Sequence, residues 1–360
     1  MIRSSKHILK YQTNQKTLVL DKMFDSYQYL VQHYINLIWN HKLELNILLS
    51  SKLLPNSREI KHSRWKQLAY KQASEIVRSV INKNKNKKKT LTRPILRNVS
   101  INLDERFFDI DVSSEEFDEF INIKLPYFKE GKKRACEVRL PIRHHKHSNK
   151  FKDWNRKKTV KLTRKNKQYS VIFTYEKESP LIKKDGKSLG IDVGYNKLIV
   201  TSDGEIIGSE MKKLYQKISN KKQGSKKFKK SLVERDNKTN YYCNQLNIKD
   251  VNQLVVEDLK DVKKESNLNH RVMNKVQRWS YLKTLDKLER SCEENGVLFT
   301  KIPTAYTSQV CSCCGTLDKL NRKGEIYKCS TCNVELDADI NAAKNILRRG
   351  VYSPSMNKTQ

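Results

Sequence analysis

The stretch SLGIDVGYNKLIVTSDGEII, Ser188 to Ile207, decides how the rest of the chain is read. Leu189, Ile191 and Val193 mark a short apolar strand, and Gly194-Tyr195-Asn196 reads as a tight turn. Leu198, Ile199 and Val200 open a second strand, Ser202-Asp203-Gly204 turns again, and Ile206-Ile207 begin a third. Asp192 lies inside the first strand of this meander. A carboxylate buried there without a partner costs several kcal/mol, so it requires a cation, hydrogen bonds or a raised pKa. An edge-strand Asp facing water also fits the spacing.

Outward from this segment, 360 residues allow two or three domains with cores of their own. Only 37% of residues are hydrophobic, yet apolar runs recur along most of the chain, which predicts a folded protein with a solvated basic surface rather than disorder. Lys+Arg number 73 against 39 Asp+Glu, and the formal net charge of +34 calls for a polyanionic partner. A membrane is disfavoured, because the basic residues are spread throughout and no apolar span approaches about 20 residues. The start, MIRSSKHILKYQ, lacks the apolar core of a secretory signal, so a cytoplasmic protein, nucleoid-associated when bound to DNA, is expected.

On the N-terminal side, residues Ser5–Thr13 predict a strand, and residues 20–49 set Met23, Tyr27, Leu30, Tyr34 and Leu37 at helical spacing. A second helix is expected from Trp65 to Ile81, ending in NKNKNKKK (residues 82–89), a solvated loop able to touch phosphates. From Pro94 to about Pro180 short β runs follow one another (VSINL, FFDIDV, CEVRLPI, TVKLTR, YSVIFTYE), which suggests a small barrel. The tract RHHKH, Arg143–His147, reads as a nucleic-acid-facing loop in preference to a metal site.

On the C-terminal side, Met211–Asn247 reads as helices with nine lysines between Met211 and Lys230, while Leu214, Ile218, Phe228 and Leu232 face a core. Lys226, Lys227, Lys229 and Lys230 are candidate nucleic-acid contacts, with a solvated helical face as the alternative. Leu254, Val255 and Val256 make an apolar run ending in Glu257, suited to an internal strand. RWSYLKTLDKLERSCEENG, residues 278–296, is an amphipathic helix with Tyr281, Leu285, Leu288 and Cys292 buried and Gly296 as its stop. VLFTKIP is another strand, and LDADINAAKNILRRG a helix packed through Ala342, Ala343, Ile346 and Leu347.

Of eight cysteines, Cys136, Cys243 and Cys292 are scattered, and five crowd together. Cys311-x₂-Cys314 followed by Cys329-x₂-Cys332 supplies four thiolates for a tetrahedral zinc with no open position. Cys313 falls inside its knuckle, as a free thiol or an alternative ligand. The acids form a second set. Asp192 on one strand, Glu257 at the end of another, and Asp337 or Asp339 at the start of a helix can converge on hard divalent cations such as Mg²⁺. Asp337 or Asp339 could equally serve only as an N-cap.

GIDVGYNKLIVTSDG, VVEDL, TSQVCSCCG…YKCSTC and DADINAAKNIL resemble the split RuvC nuclease motifs and inserted zinc ribbon of the TnpB family. These are insertion-sequence-encoded, RNA-guided DNA endonucleases related to compact type V CRISPR effectors. The resemblance covers roughly Leu189 to Leu347. It implies an α+β multidomain protein: an N-terminal β-barrel wedge domain with a helical insert, then an RNase H-like (RuvC) α/β domain with an inserted zinc ribbon. The implied boundaries are 1–20 for the first wedge strand, 21–93 for the helical recognition insert and 94–180 for the barrel. They continue with 186–307 and 336–350 for the two nuclease parts, 308–335 for the ribbon and 351–360 for a tail. Residue by residue, the resemblance places the catalytic, Mg²⁺-holding acids at Asp192, Glu257 and Asp339, with two ions, and makes Asp337 a less critical upstream acid. Cys311, Cys314, Cys329 and Cys332 hold one Zn²⁺. Guide RNA and target double-stranded DNA are the implied partners. The chain is short for the family, which implies a reduced recognition insert and lid.

Three functions are thus in competition: a metal-dependent RNA-guided DNA endonuclease, an RNA-guided DNA-binding repressor, and a zinc-ribbon RNA-binding accessory protein. The complete acid set favours the first.

Overall fold

A computed structural model describes residues 1–45, 49–55, 62–85, 91–112, 116–128, 135–259 and 270–352. They form two units, Ile2–Lys177 and, with Met1, Glu178–Gln360. In the first, the elements are β1 (Ile2–Ile8), α1 (Asn14–Trp39), α2 (Ser63–Lys85), β2 (Ser100–Asp104), β3 (Phe108–Val112), β4 (Glu119–Phe128), β5 (Ala135–Ile142), β6 (Asn155–Lys165) and β7 (Gln168–Glu176). The strands lie in two antiparallel sheets, β1-β7-β6-β2 and β3-β4-β5, with no hydrogen-bonded ladder joining them among the described residues. One apolar core serves both sheets and both helices, with Tyr27, Tyr34, Trp65, Ile121, Leu140 and Val171 fully buried.

Several boundaries differ from expectation. The first strand is Ile2–Ile8, not Ser5–Thr13: it pairs with β7 from Ile2↔Glu176 to Ile8↔Ser170, and Tyr11 at φ 62° then breaks the extended path. Helix α1 begins at Asn14, capped by the Thr13 hydroxyl, inside the segment 1–20 assigned to strand. Residues 82–85 continue α2 rather than opening a loop, and 86–89 lie outside the described residues. Strand β4, EFINIKLPYF, was not among the β runs expected between Pro94 and Pro180.

The second unit comprises β8 (Lys187–Asp192), β9 (Ile199–Thr201), β10 (Ile206–Ile207), α3 (Met211–Ser219), α4 (Lys226–Cys243), β11 (Val251–Glu257), α5 (His270–Arg278), α6 (Tyr281–Asn295), β12 (Leu298–Ile302), β13 (Arg322–Lys323), β14 (Ile326–Lys328), β15 (Glu335–Asp337) and α7 (Ala338–Tyr352). The five-stranded order is β10-β9-β8-β11-β12, with β8, β11 and β12 parallel and the hairpins antiparallel. Strand alternation then sorts side chains to two faces. Leu189, Ile191, Leu254 and Val256 join a core with residues of α3, α4 and α6. Val255 packs instead with Ile346 of α7, and a side chain on Gly190 would run into α7. Helix α6 ends where its sequence said, at Gly296 in the left-handed region (φ 64°).

Gly190 lets α7 lie directly on β8. A Cβ there would stand 2.2 Å from the Ala343 carbonyl oxygen and 2.7 Å from Leu347 Cβ. Gly190→Ala should therefore destabilise the protein by about 3 kcal/mol, since backbone cannot yield as a side chain can. Denaturant unfolding and hydrogen exchange along α7 check this. Among the described residues no helix is long and apolar enough to cross a membrane.

Candidate active site and metal centre

Strand register builds the carboxylate site. Val256 pairs with Ile191, so Glu257 and Asp192 follow side by side at the ends of two parallel strands. Two residues on from Val255 and Gly190, both face α7. The first turn of α7 carries Asp339 to the same place. The three acids line one cleft of ≈ 380 Å³ with Tyr195, Thr307 and Arg322. Asp258, next along, turns away, and its N–H bonds to the Ile302 carbonyl at 2.8 Å.

Electrostatics in the cleft are strained towards a cation. Asp192 keeps some exposed surface but sits deep, and burial, then the charges of Glu257 and Asp339, push its carboxyl up to about 8. Burial also raises Glu257, against the Thr307 hydroxyl that donates to its Oε1 and the nearby Arg349. Asp339 is held by Arg322 Nη2 at 2.9 Å and Lys197 Nζ at 3.4 Å. Asp337 Oδ1 caps α7, accepting from the N–H groups of Asp339 and Ile340, while Oδ2 pairs with Lys197. Burial pushes Asp337 up, but the Lys197 hydrogen bond and the cap hold it below the usual carboxylate range. Oxygen donors of this kind suit Mg²⁺. They are more widely spaced than the cysteine thiols, which are the one set of three or more potential ligands, among the described residues, whose donor atoms lie within 4.8 Å of one another.

The cysteine centre is two copies of one turn. In the first, the Cys311 N–H reaches the Thr316 carbonyl (2.9 Å) and Gly315 N–H the Cys311 carbonyl (3.0 Å); in the second, Cys329 N–H reaches Val334 (2.9 Å) and Asn333 N–H reaches Cys329 (3.1 Å). Gly315 (φ 80°) and Asn333 (φ 56°) fill the same left-handed position. These turns bring Cys311 Sγ within 3.7 Å of Cys332 Sγ and Cys314 Sγ within 3.5 Å of Cys329 Sγ. Zn–S bonds of about 2.3 Å in a tetrahedron require sulfurs about 3.8 Å apart, so the four thiols fit zinc. Hydrogen bonds from the Thr316 side chain and backbone pull the Cys314 thiol down to about 6, towards thiolate. Cys313 is exposed and outside the cluster.

Sequence reasoning missed the residues that tie these two centres together. Asn345 donates to the Thr307 and Val310 carbonyls (2.9 and 2.7 Å), and Asn341 donates to Val310 and accepts from Ser312 N–H. Both asparagines are buried, so the DINAAKN segment fastens to α7 the loop that runs from Thr307 into the first knuckle. Their helical spacing, i and i+4, was the available signal. Arg322 and Lys197 carried none, being two among 73 basic residues.

Lys226, Lys227, Lys229 and Lys230 occupy the first turns of α4, all exposed, around a buried Phe228. Cations at that end oppose the helix dipole, so they do not serve the stability of α4. The RHHKH loop packs rather than ligates: His144 pairs with Glu119 (3.5 Å) and His145 Nδ1 accepts from Ser148 N–H (3.3 Å).

Comparisons with known proteins agree with these features. A family model described as Cas12f1-like, TNB domain, matches residues 281–346. CRISPR-associated endodeoxyribonuclease Cas12f1 of Sulfoacidibacillus thermotolerans is 46% identical over 72 residues, 20% of this chain and 17% of that protein. The TnpB-like protein MJ0751 of Methanocaldococcus jannaschii is 24% identical over 201 residues, 53% of this chain and 68% of that one. A cryo-EM structure of a Cas12f1-sgRNA-target DNA complex matches 93% of this chain and 83% of its own with a TM-score of 0.60 at 15% identity. The match thus spans under a fifth of the Cas12f1 relative, while the α+β multidomain fold extends along nearly the whole chain. In its ribbon segment the chain is similar to Cas12f1, over about half its length to a TnpB-like protein, and in its fold to a compact Cas12 effector.

Proposed function

We propose that the protein is an RNA-guided DNA endonuclease, associated with a transposable element, that hydrolyses phosphodiester bonds by a two-metal RuvC mechanism. One observation carries this: acids from two adjacent parallel strand ends and from the first turn of the helix covering them line a single cleft. The sheet order, an antiparallel meander continued by parallel strands with helices on both faces, is that expected of an RNase H-like core. On this basis Glu178–Gln360 contains the nuclease and its ribbon, and Ile2–Lys177 the wedge and recognition parts.

Asp192, Glu257 and Asp339 would hold the ions, which activate a water and stabilise the leaving oxygen when bound. Thr307 fixes the Glu257 carboxylate through its hydroxyl. Arg322, at the rim of the cleft, offers a planar guanidinium suited to a phosphate. The lysines of α4 suit backbone contact, which carries no sequence information, so specificity falls to base pairing with the guide. The names of the relatives, an endodeoxyribonuclease and a complex with sgRNA and target DNA, support the same assignment.

The test is to co-purify the bound RNA, replace its guide segment and assay cleavage. Cutting is expected to move to the newly matched target beside the same short duplex motif. Cutting that stays at the original site overturns guidance; guided binding without cutting establishes the repressor instead.

A further inference from the structure

Lys197 lies in the loop between β8 and β9, five residues after Asp192, and only 8% of its surface is exposed. Its ammonium bonds to Asp337 Oδ2 and stands 3.4 Å from Asp339 Oδ2 and 4.0 Å from Glu325 Oε2. A lysine so buried is retained only where carboxylates compensate it, and here the carboxylates belong to the start of α7 and to the β13–β14 turn. The loop is locked in this pose. A Cβ on Gly194 would meet the Lys197 carbonyl oxygen at 2.6 Å, Trp279 Nε1 donates to the Gly194 carbonyl at 2.9 Å, and Asn196 donates to Glu325 at 3.3 Å. Asp337 in turn caps the N–H groups of Asp339 and Ile340 (3.0 and 3.3 Å). Lys197 is therefore the one contact running from the strand of Asp192 to the helix turn of Asp339 through a single side chain, among the described hydrogen bonds of that loop.

We propose that Lys197 is a positioning residue of the carboxylate site, clamping the first turn of α7 through Asp337 so that Asp339 stands where Asp192 and Glu257 can share its ions. The inference rests on the metal-site assignment above. It has two opposed effects. The fixed ammonium repels an incoming divalent cation, so its removal strengthens ion binding; it also sets the position of Asp339, so its removal slows the reaction.

The probe is Mn²⁺, followed by electron paramagnetic resonance on zinc-loaded protein, with cleavage measured at saturating Mn²⁺. Lys197→Gln should bind Mn²⁺ about tenfold more tightly, the removed charge standing 3.4 Å from Asp339 Oδ2, an oxygen that would hold the ion. It should cut about a hundredfold more slowly, the loss typical of a misplaced group. Asp337→Asn should show the same rate loss, the double variant should be no slower than either, and Lys197→Arg should restore most of the rate. Lys197→Gln or Asp337→Asn cutting at the wild-type rate overturns the proposal, as does weaker rather than tighter Mn²⁺ binding in Lys197→Gln. If Lys197→Gln does not fold, the Asp337→Asn rate decides alone. Wild-type protein whose Mn²⁺ signal is unchanged by Asp192→Ala sinks the metal-site assignment itself, a separate failure.

Discussion

Asp192→Ala, Glu257→Ala and Asp339→Ala are each expected to lower Mg²⁺-dependent DNA cleavage by about a thousandfold or more, with RNA binding kept. Each substitution removes a donor from the cleft and leaves the lysines of α4 untouched. Asp337→Ala should be the milder change at this turn, acting through the helix cap and Lys197. Normal cutting by Asp339→Ala with a dead Asp337→Ala reverses the assignment of the third acid. A stability measurement on zinc-loaded protein without Mg²⁺ gives an independent check. Burial and like charges raise Asp192 in the folded state from 3.8 to about 8, so between those values the unfolded chain binds fewer protons than the folded one. Stability then falls as pH rises through this window, and the loss is complete above about pH 8. Asp192→Asn, which cannot ionise, should be more stable than wild type above that pH when zinc is bound and Mg²⁺ is left out, by an amount on the order of a few kcal/mol. The difference should shrink or reverse when Mg²⁺ is added. An Asp192→Asn variant that, zinc-loaded and without Mg²⁺, is less stable than wild type at pH 9 contradicts the picture of a crowded anionic cleft.

The second large effect concerns the four-thiol centre. Cys314→Ser or Cys329→Ser should lose the bound zinc and unfold the segment between β12 and α7, because binding to a structural zinc site is worth on the order of 10 kcal/mol. Cleavage should be lost with it, since Arg322 and the loop tied down by Asn341 and Asn345 lead into the same cleft. Cys313→Ser should keep both zinc and activity, its thiol being exposed and outside the cluster. Elemental analysis and limited proteolysis read the outcome; zinc lost from Cys313→Ser and retained in Cys314→Ser exchanges their roles.

How much could be read from the sequence depended on how local each signal was. The thiol pairs and the α6 stripe of Tyr281, Leu285, Leu288 and Cys292 are local patterns, and the structure shows both. Asp192, Glu257 and Asp339 were each visible as an acid in an unusual place; that they share a cleft follows from parallel register, which no single segment encodes. Strand β4 was not read from its segment, and β1 was displaced because its limits are set by β7, far along the chain. Lys197 and Arg322 were illegible for a different reason. In a chain with 73 basic residues nothing local separates a buried cation from a solvated one, and only burial against named carboxylates does so.

Helix α7 brings the third carboxylate to strands made much earlier in synthesis. A nascent chain on the ribosome that has not yet emitted α7 presents Asp192 and Glu257 without Asp339, and exposes the strand face that Gly190 and Val255 would otherwise turn against that helix. The carboxylate cleft can close only once that helix has docked. The order of translation thus withholds the complete carboxylate set until α7 has been made.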